Sequence, residues 1–440
     1  MVEHAPGSPA RFRFDTADPV LAGAAWSRLA EPGDVVAGAL VAALGAGEAL
    51  AWVAGAAARP GEASAELARL EPGARVARTL AGEMVTGETV TVHDRHAGGS
   101  PGAGRSAAPG TGTHSPARAL MAGVRRWASR LEGLAPRQDL EALERLDGTL
   151  LLPGDAGWPG GLDALGPAAP HALWVRGRGD LAGLSRRAVA LVGSRASTSY
   201  GERVARDLAS GLAARGFTVV SGGAHGIDAE AHRAALAVDG STLVLLASGV
   251  DRLYPSGNRR LMETAMSGGA VVAEVPPGST PFRQRFLARN RIIAALGSAT
   301  VVVEAAMRSG ALSTANHATR LLRPVGAVPG PVTSMASAGC HELLRSGAAV
   351  CVTDAAEAAE LAGGATDAAP ARHGEHRPGD GLDPSAKAVL DALPVRRGAP
   401  VESVARVAGL AVDETRAKLG RLLLAGLAEK EGGAWRRGSR

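Results

Sequence analysis

Lysine is almost missing from this chain: Lys387, Lys418 and Lys430 are the only three among 48 basic residues in 440. Basic charge is therefore carried by arginine, whose planar guanidinium matches phosphate oxygens in a fixed fork. The same bias, with heavy alanine and glycine use, also fits a GC-rich genome, and a net charge of +5 is small for this length. Global charge supports nucleic-acid binding only weakly, so local clustering has to carry that argument. Cysteine is equally scarce. Cys340 and Cys351 cannot build a disulfide framework or a four-cysteine metal site. Both have small or apolar neighbours and are expected as buried thiols in a reducing cytoplasm. The N-terminus, MVEHAPGSPARFRFD, has no apolar signal core. Val35 to Ala58 is nearly uncharged, but it is Ala/Gly-rich, carries Glu48 and is broken by Gly45 and Gly47. It predicts two short packed helices rather than a membrane span.

Several catalytic signatures are also missing. There is no GxxxxGK[ST], which excludes a P-loop NTPase. Gly193 to Gly201 does not fit GxGxxG and has no acid placed for a ribose, so a dinucleotide is disfavoured. His93, His96 and His114 lack tight ligand spacing and read as a polar loop. No cofactor, metal or catalytic residue is assigned.

What is present is an organised pattern. Residues 1 to about 90 read as short Ala/Leu helices separated by Pro-Gly turns, and helical pattern resumes over Arg118–Leu146. The stretch between, about 93–117, is Gly, Ser, Pro, Thr and His, which bury too little to offset ordering entropy, and is expected to be disordered. From Arg187, apolar β-branched runs at 188–192, 218–221, 242–247, 270–274, 300–304 and 326–329 alternate with helical segments. That alternation predicts an α/β fold with a doubly wound, mostly parallel sheet buried on both faces. A polar linker over 364–382 precedes three helices and a hairpin in 383–440, the pattern of a winged helix. Its third helix, Val412–Leu424, is expected to turn Val412, Leu419, Leu422 and Leu423 inward. Its acidic start, Asp413 and Glu414, is unpromising for reading duplex DNA and leaves protein contact or a structural cap open. The resulting division is a helical region over 1–150, an α/β domain over 151–363, the linker, and the winged helix.

Three glycine/serine loops follow predicted strands: Gly193-Ser194-Arg195, Ser221-Gly222-Gly223-Ala224-His225-Gly226, and Arg308-Ser309-Gly310. Ligands of open α/β sheets bind outside such strand ends, and small residues let backbone N–H groups approach an anion. Beside them lies RQRFLARNR, 283–291, with four arginines, Phe286, Asn290 and no acid. Alone it reads equally as a solvated helix face. Phe286 stands open between stacking a base and packing in the core. Asp228 is expected to cap the helix after the second loop, and His225 to be a polar loop contact. Glu304, ending an apolar strand, is either a catalytic carboxylate or, more simply, the partner of a rim arginine.

At this point the residues resemble a known family. VALVGSR (189–195), SGGAHGIDAEAH (221–232), GVDRLYPSGNRRL (249–261), FLARNRIIAAL (286–296), VVVEAAMRSGALSTA (301–315) and PVGAVPGPV (324–332) are similar to the DNA-processing protein A family, DprA/Smf. The resemblance is dense over about 185–350 and looser in the flanks, which resemble that family's SAM-like and winged-helix domains. It implies an extended Rossmann-like fold that binds single-stranded DNA without catalysis, as a homodimer, and loads the RecA recombinase during natural transformation. By motif, it implies a binding site of Gly193, Ser194, Arg195, Gly222, Gly223, Phe286, Arg289, Asn290, Arg291, Ser309 and Gly310. Arg195, Arg289 and Arg291 would neutralise phosphates. The second loop lacks the leucine-alanine pair of many relatives, and Leu287-Ala288 stands where proline-arginine often precedes RNR, which lowers the DNA affinity expected. Two rivals remain: a nucleoside-monophosphate phosphoribohydrolase-like enzyme using Glu304, whose hallmark PGGxGTxxE is absent, and a regulator reading duplex DNA through the winged helix.

Overall fold

The structure is a computed structural model that describes residues 12–62, 76, 78–80, 116–178, 180–363 and 382–438. The insert expected at 93–117 lies outside the described residues except for Pro116 and Ala117, which open a helix. The linker also lies outside them, except for Leu382, which packs on the core of the C-terminal unit. The chain divides into two compact units, Met1–Thr366 and Asp367–Arg440.

The first unit begins with helices α1 (Pro19–Leu29), α2 (Val35–Leu44) and α3 (Ala46–Ala58), then α4 (Pro116–Leu131) and α5 (Pro136–Glu144). Asp18 and Asp34 cap α1 and α2 by accepting from two backbone N–H groups each. Gly45, at φ +84°, breaks α2 from α3, and the two helices meet at a bend of 115°. Among the described residues no single helix is long and apolar enough to cross a membrane. Both helices instead bury Leu40, Leu50 and Val53 around Trp26 and Trp127, whose rings meet edge to face at 5.6 Å.

A nine-stranded sheet follows, in the order β1-β2-β6-β5-β4-β3-β7-β8-β9. Its strands are β1 (Gly148–Leu151), β2 (Leu173–Gly177), β3 (Ala188–Gly193), β4 (Thr218–Gly222), β5 (Thr242–Leu245), β6 (Ala270–Ala273), β7 (Ala299–Glu304), β8 (Val325–Ala327) and β9 (Val350–Cys351). From β6 across to β9 all pairings are parallel, whereas β1 and β2 extend the sheet antiparallel beyond β6. The boundary expected at residue 150 therefore falls inside β1. The parallel strands from β3 to β8 are buried on both sides because helices cover both faces. Val189, Leu191, Val301 and Val303 pack towards α7 (Ser199–Ala214), α8 (Ile227–Leu236) and α13 (Ala355–Leu361). Ala190, Val192 and Val302 pack the other way, onto α10 (Arg283–Leu296), α11 (Gly310–Arg320) and α12 (Ala338–Arg345). Helices α6 (Leu181–Arg186) and α9 (Arg259–Gly268) complete the layers. Cys340 is buried, as expected, but Cys351 is exposed on the edge strand, where no element covers it.

The second unit contains α14 (Pro384–Ala392), α15 (Val401–Ala408), α16 (Val412–Leu424) and the hairpin β10 (Ala428–Glu431) and β11 (Ala434–Arg437). Leu419 and Leu422 of α16 are buried as expected, with Thr415 one turn earlier. Leu423 is 42% exposed, because the inward stripe follows 415, 419 and 422, and residue 423 has rotated off it. Two cations of α16 are engaged locally: Arg416 pairs with Asp413, and Lys418 reaches both oxygens of Asp383 at 2.8 and 2.9 Å. Lys418 holds the Asp383 carboxyl well below the usual carboxylate range.

Candidate functional site

Chain order sets the location of the site. From β3 the chain winds outward through β4, β5 and β6, then returns to place β7 on the opposite side of β3. The carboxyl ends of β3 and β7 thus flank a topological switch point, where open α/β sheets leave a crevice. The first and third glycine loops leave from these two strands, and the second leaves from β4.

The first loop is stitched to its surroundings. Ser194 donates its N–H to the Glu304 carbonyl at 2.7 Å, and its own carbonyl accepts from Ile227 at 3.2 Å. A Cβ on Gly193 would lie 2.5 Å from Ile227 Cγ1, so only glycine lets β3 and α8 approach this closely. The Glu304 side chain is buried and accepts from the Thr198 N–H at 2.9 Å and the Thr198 hydroxyl at 2.7 Å. The arginine partner expected for Glu304 is not what the structure shows. Its carboxylate instead fixes the start of α7, with each oxygen accepting one bond from Thr198.

The second loop covers charge. A Cβ on Gly222 would overlap Arg289 Nη1 and sit 2.6 Å from Asp228 Oδ2. Asp228 is not the expected cap of α8. That position is Gly226, at φ +74°, and Asp228 lies two residues further on, in the first turn, accepting from Ala224 N–H at 3.4 Å. Burial pushes the Asp228 carboxyl up, against the pull of Arg289. His232 is buried beneath the same loop. Its Nε2 donates to the Gly222 carbonyl at 2.9 Å and its Nδ1 meets the Thr242 hydroxyl at 2.6 Å, while burial lowers its pKa to about 4. Asn258 donates to the carbonyls of Gly223 (3.0 Å) and Ala224 (2.9 Å), tying the loop before α9 to the glycine loop. His225 is exposed at the loop tip.

The arginine helix α10 overturns part of the sequence reading. Arg291 is 4% exposed and forms a two-pronged ion pair with Glu274, at 2.9 and 2.5 Å. Arg289 is 7% exposed, donates to the Leu245 carbonyl at 2.5 Å, and is lowered by burial to about 10. Asn290 donates to the Gly310 carbonyl at 3.1 Å. The three residues expected to face phosphates are turned under the loops instead. The reason is helical: Arg289 precedes Ile292 and Ile293 by three and four positions, so it shares their inward face. Arg285 grips Glu31 between α1 and α2 at 2.9 and 3.2 Å, and Arg283 alone among the four is exposed.

At the mouth of the crevice lies a different arrangement. Arg195 is exposed, makes no ion pair among the described residues, and stacks its guanidinium 4.8 Å over the Phe286 ring. Phe286 is half-buried and meets Tyr254 at 6.0 Å, tilted by 55°. Ser309 and Gly310 open α11, whose first turn has no side-chain cap, so its N–H groups face the crevice end of β7. Gly193, Ser194, Arg195, Gly222, Gly223, Phe286, Ser309 and Gly310 therefore converge on one rim, whereas Arg289 and Asn290 support it from below and Arg291 is tied to Glu274. Tyr254 and Asn258 are additions that the sequence reading passed over. An aromatic in a Pro/Gly/Ser-rich loop, and one of only two tyrosines, was the available signal.

Residues 149–363 match the family described as DNA recombination-mediator protein A. A protein described as DNA processing protein DprA from Mycobacterium tuberculosis is 47% identical over 311 residues, 68% of this chain and 79% of the relative. A crystal structure of DprA from Streptococcus pneumoniae is 34% identical, covering 53% of this chain and 80% of that one, with a TM-score of 0.48. A DNA processing protein A structure from Helicobacter pylori, titled for its single-stranded DNA binding mode, is 28% identical over 48% of this chain and 94% of that one, with a TM-score of 0.44. On its sequence match alone, with the glycine loops placed at the switch point, the chain belongs to the DprA/Smf family of DNA-processing proteins.

Proposed function

We propose that this chain binds single-stranded DNA at the rim of the switch-point crevice, performs no chemistry on it, and passes it to the RecA recombinase. The observation that carries the reading is Arg195. It is an exposed guanidinium on an aromatic ring, set between glycine loops and helix N-termini, which is the combination a phosphate and an unpaired base need together. Backbone N–H groups around Gly222, Gly223, Ser309 and Gly310 supply neutral donors for phosphate oxygens, while the Ser194 N–H already donates to the Glu304 carbonyl. Arg289, beneath Gly222, and Asn290, bonded to the Gly310 carbonyl, hold those loops in place. A recombination mediator meets RecA on the strand it has bound, and the family description supports that partner. A second copy of the chain is proposed to add at the β9 edge, a two-residue strand whose Val350 and Cys351 are both exposed.

The test is a salt titration of binding to single-stranded and duplex oligonucleotides of one length. Affinity for the single strand falls by about 0.7 log units per log unit of salt for each phosphate neutralised. Duplex preference would overturn the reading in favour of a duplex reader. For the assembly, Val350→Asp gives a monomer in sedimentation where the parent protein is a dimer.

A further inference from the structure

We infer that Tyr254 is the base-stacking residue of this site and that Phe286 is its keystone, an inference that rests on the single-stranded DNA reading above. Three aromatic side chains are exposed among the described residues: Tyr200, Tyr254 and Phe282. Tyr200 spends its hydroxyl on the Pro329 carbonyl at 2.5 Å, and Phe282 carries the Arg285 guanidinium over its ring at 4.5 Å. Tyr254 is 50% exposed, the most open of the three, and stands at the crevice mouth.

Phe286 cannot serve in the same way. The Arg195 guanidinium occupies its ring at 4.8 Å and Tyr254 flanks it at 6.0 Å. Phe286 is thus neither a free stacking surface nor a core residue. It contacts both Arg195 and Tyr254, so a phosphate and a base of one strand segment can engage together.

The Tyr254 loop is also set before any strand arrives. Val250 and Leu253 are buried beneath it, and Asn258 ties it to the Gly223 and Ala224 carbonyls. A Cβ on Gly223 would lie 3.2 Å from the Tyr254 carbonyl, so glycine at 223 lets the two loops lie against each other. A ring held this way loses little freedom when a base stacks on it. Because every base has a π-face, the contact selects unpaired bases without selecting a sequence.

The experiment measures fluorescence anisotropy of the full chain with an oligothymidylate and with an abasic oligomer of equal length and charge. Tyr254→Ala weakens oligothymidylate binding about 10-fold and leaves the abasic oligomer within about 2-fold, while Tyr254→Phe keeps the parent affinity for both. Equal loss on both oligomers, or no loss on either, overturns the stacking role. If the parent chain binds neither oligomer, the single-stranded DNA reading itself fails, and this inference falls with it.

Discussion

Two groups of arginine sit within one crevice and do opposite things. Those of α10, packed into RQRFLARNR, are conspicuous in the sequence, yet Arg285, Arg289 and Arg291 are engaged by Glu31, the Leu245 carbonyl and Glu274. Arg195 is a single residue in a short loop, and it is the one that faces outward over an aromatic ring. Charge density in a sequence locates an electrostatic region. Helical phase decides which of its members reach solvent.

The comparison is broken most forcefully at Arg291. Removing either partner of a buried ion pair strands the other charge, so Arg291→Ala or Glu274→Ala is expected to cost about 3–5 kcal/mol in urea unfolding. Replacing both by apolar residues of similar volume recovers most of that loss. If Arg291→Ala instead left stability unchanged and removed DNA binding, the two arginine groups would have to be exchanged.

Acid provides the next largest effect. His232 has its folded pKa lowered to about 4 from 6.5, so the unfolded chain binds the proton more tightly. Its contribution is fully present above pH 6.5 and is lost as pH falls through that value towards 4, about 3 kcal/mol in all. Asp228, with its carboxyl pushed up, acts with the opposite sign in the acid part of that window. Comparing pH–stability curves of the parent and His232→Asn isolates the histidine. A slope that does not change would show that the ring is not buried under the loop.

Arg195→Ala sharpens the other side of the contrast. Folding stability stays within about 0.5 kcal/mol, as for an exposed side chain. Affinity for single-stranded DNA drops roughly 10-fold, and the salt slope falls by about 0.7. Smallest is Arg285→Ala. Its partner Glu31 is partly exposed, so only about 1 kcal/mol is expected in thermal unfolding, with DNA affinity unchanged.

How much of this was legible depended on which residues carried the signal. The strands β3 to β8 were readable because Val-rich runs buried on both faces have no polar alternation to confuse them. β1 and β2 were not: Gly148–Leu151 and Leu173–Gly177 are short, mix glycine, threonine and arginine with apolar residues, and pair antiparallel at an edge. In the site, the glycine loops were found from composition. The burial of Arg289 was also available, from its spacing to Ile292 and Ile293, but the attraction of four arginines outweighed it. No local pattern marks the Thr198 contact with Glu304 or the Asn258 contacts with the second loop, because each partner lies 34 or more residues away.

Gly222 is where the two arginine groups come closest to acting as one. With no side chain there, the Arg289 guanidinium lies directly beneath the backbone of the loop. Small ions surround Arg195 and screen it, but they cannot enter the packed layer that holds Arg289. The crevice therefore has an outer field that salt extinguishes and an inner one that it does not. A strand held there should keep a residual grip in brine that Gly222→Ala, by displacing the guanidinium, would release.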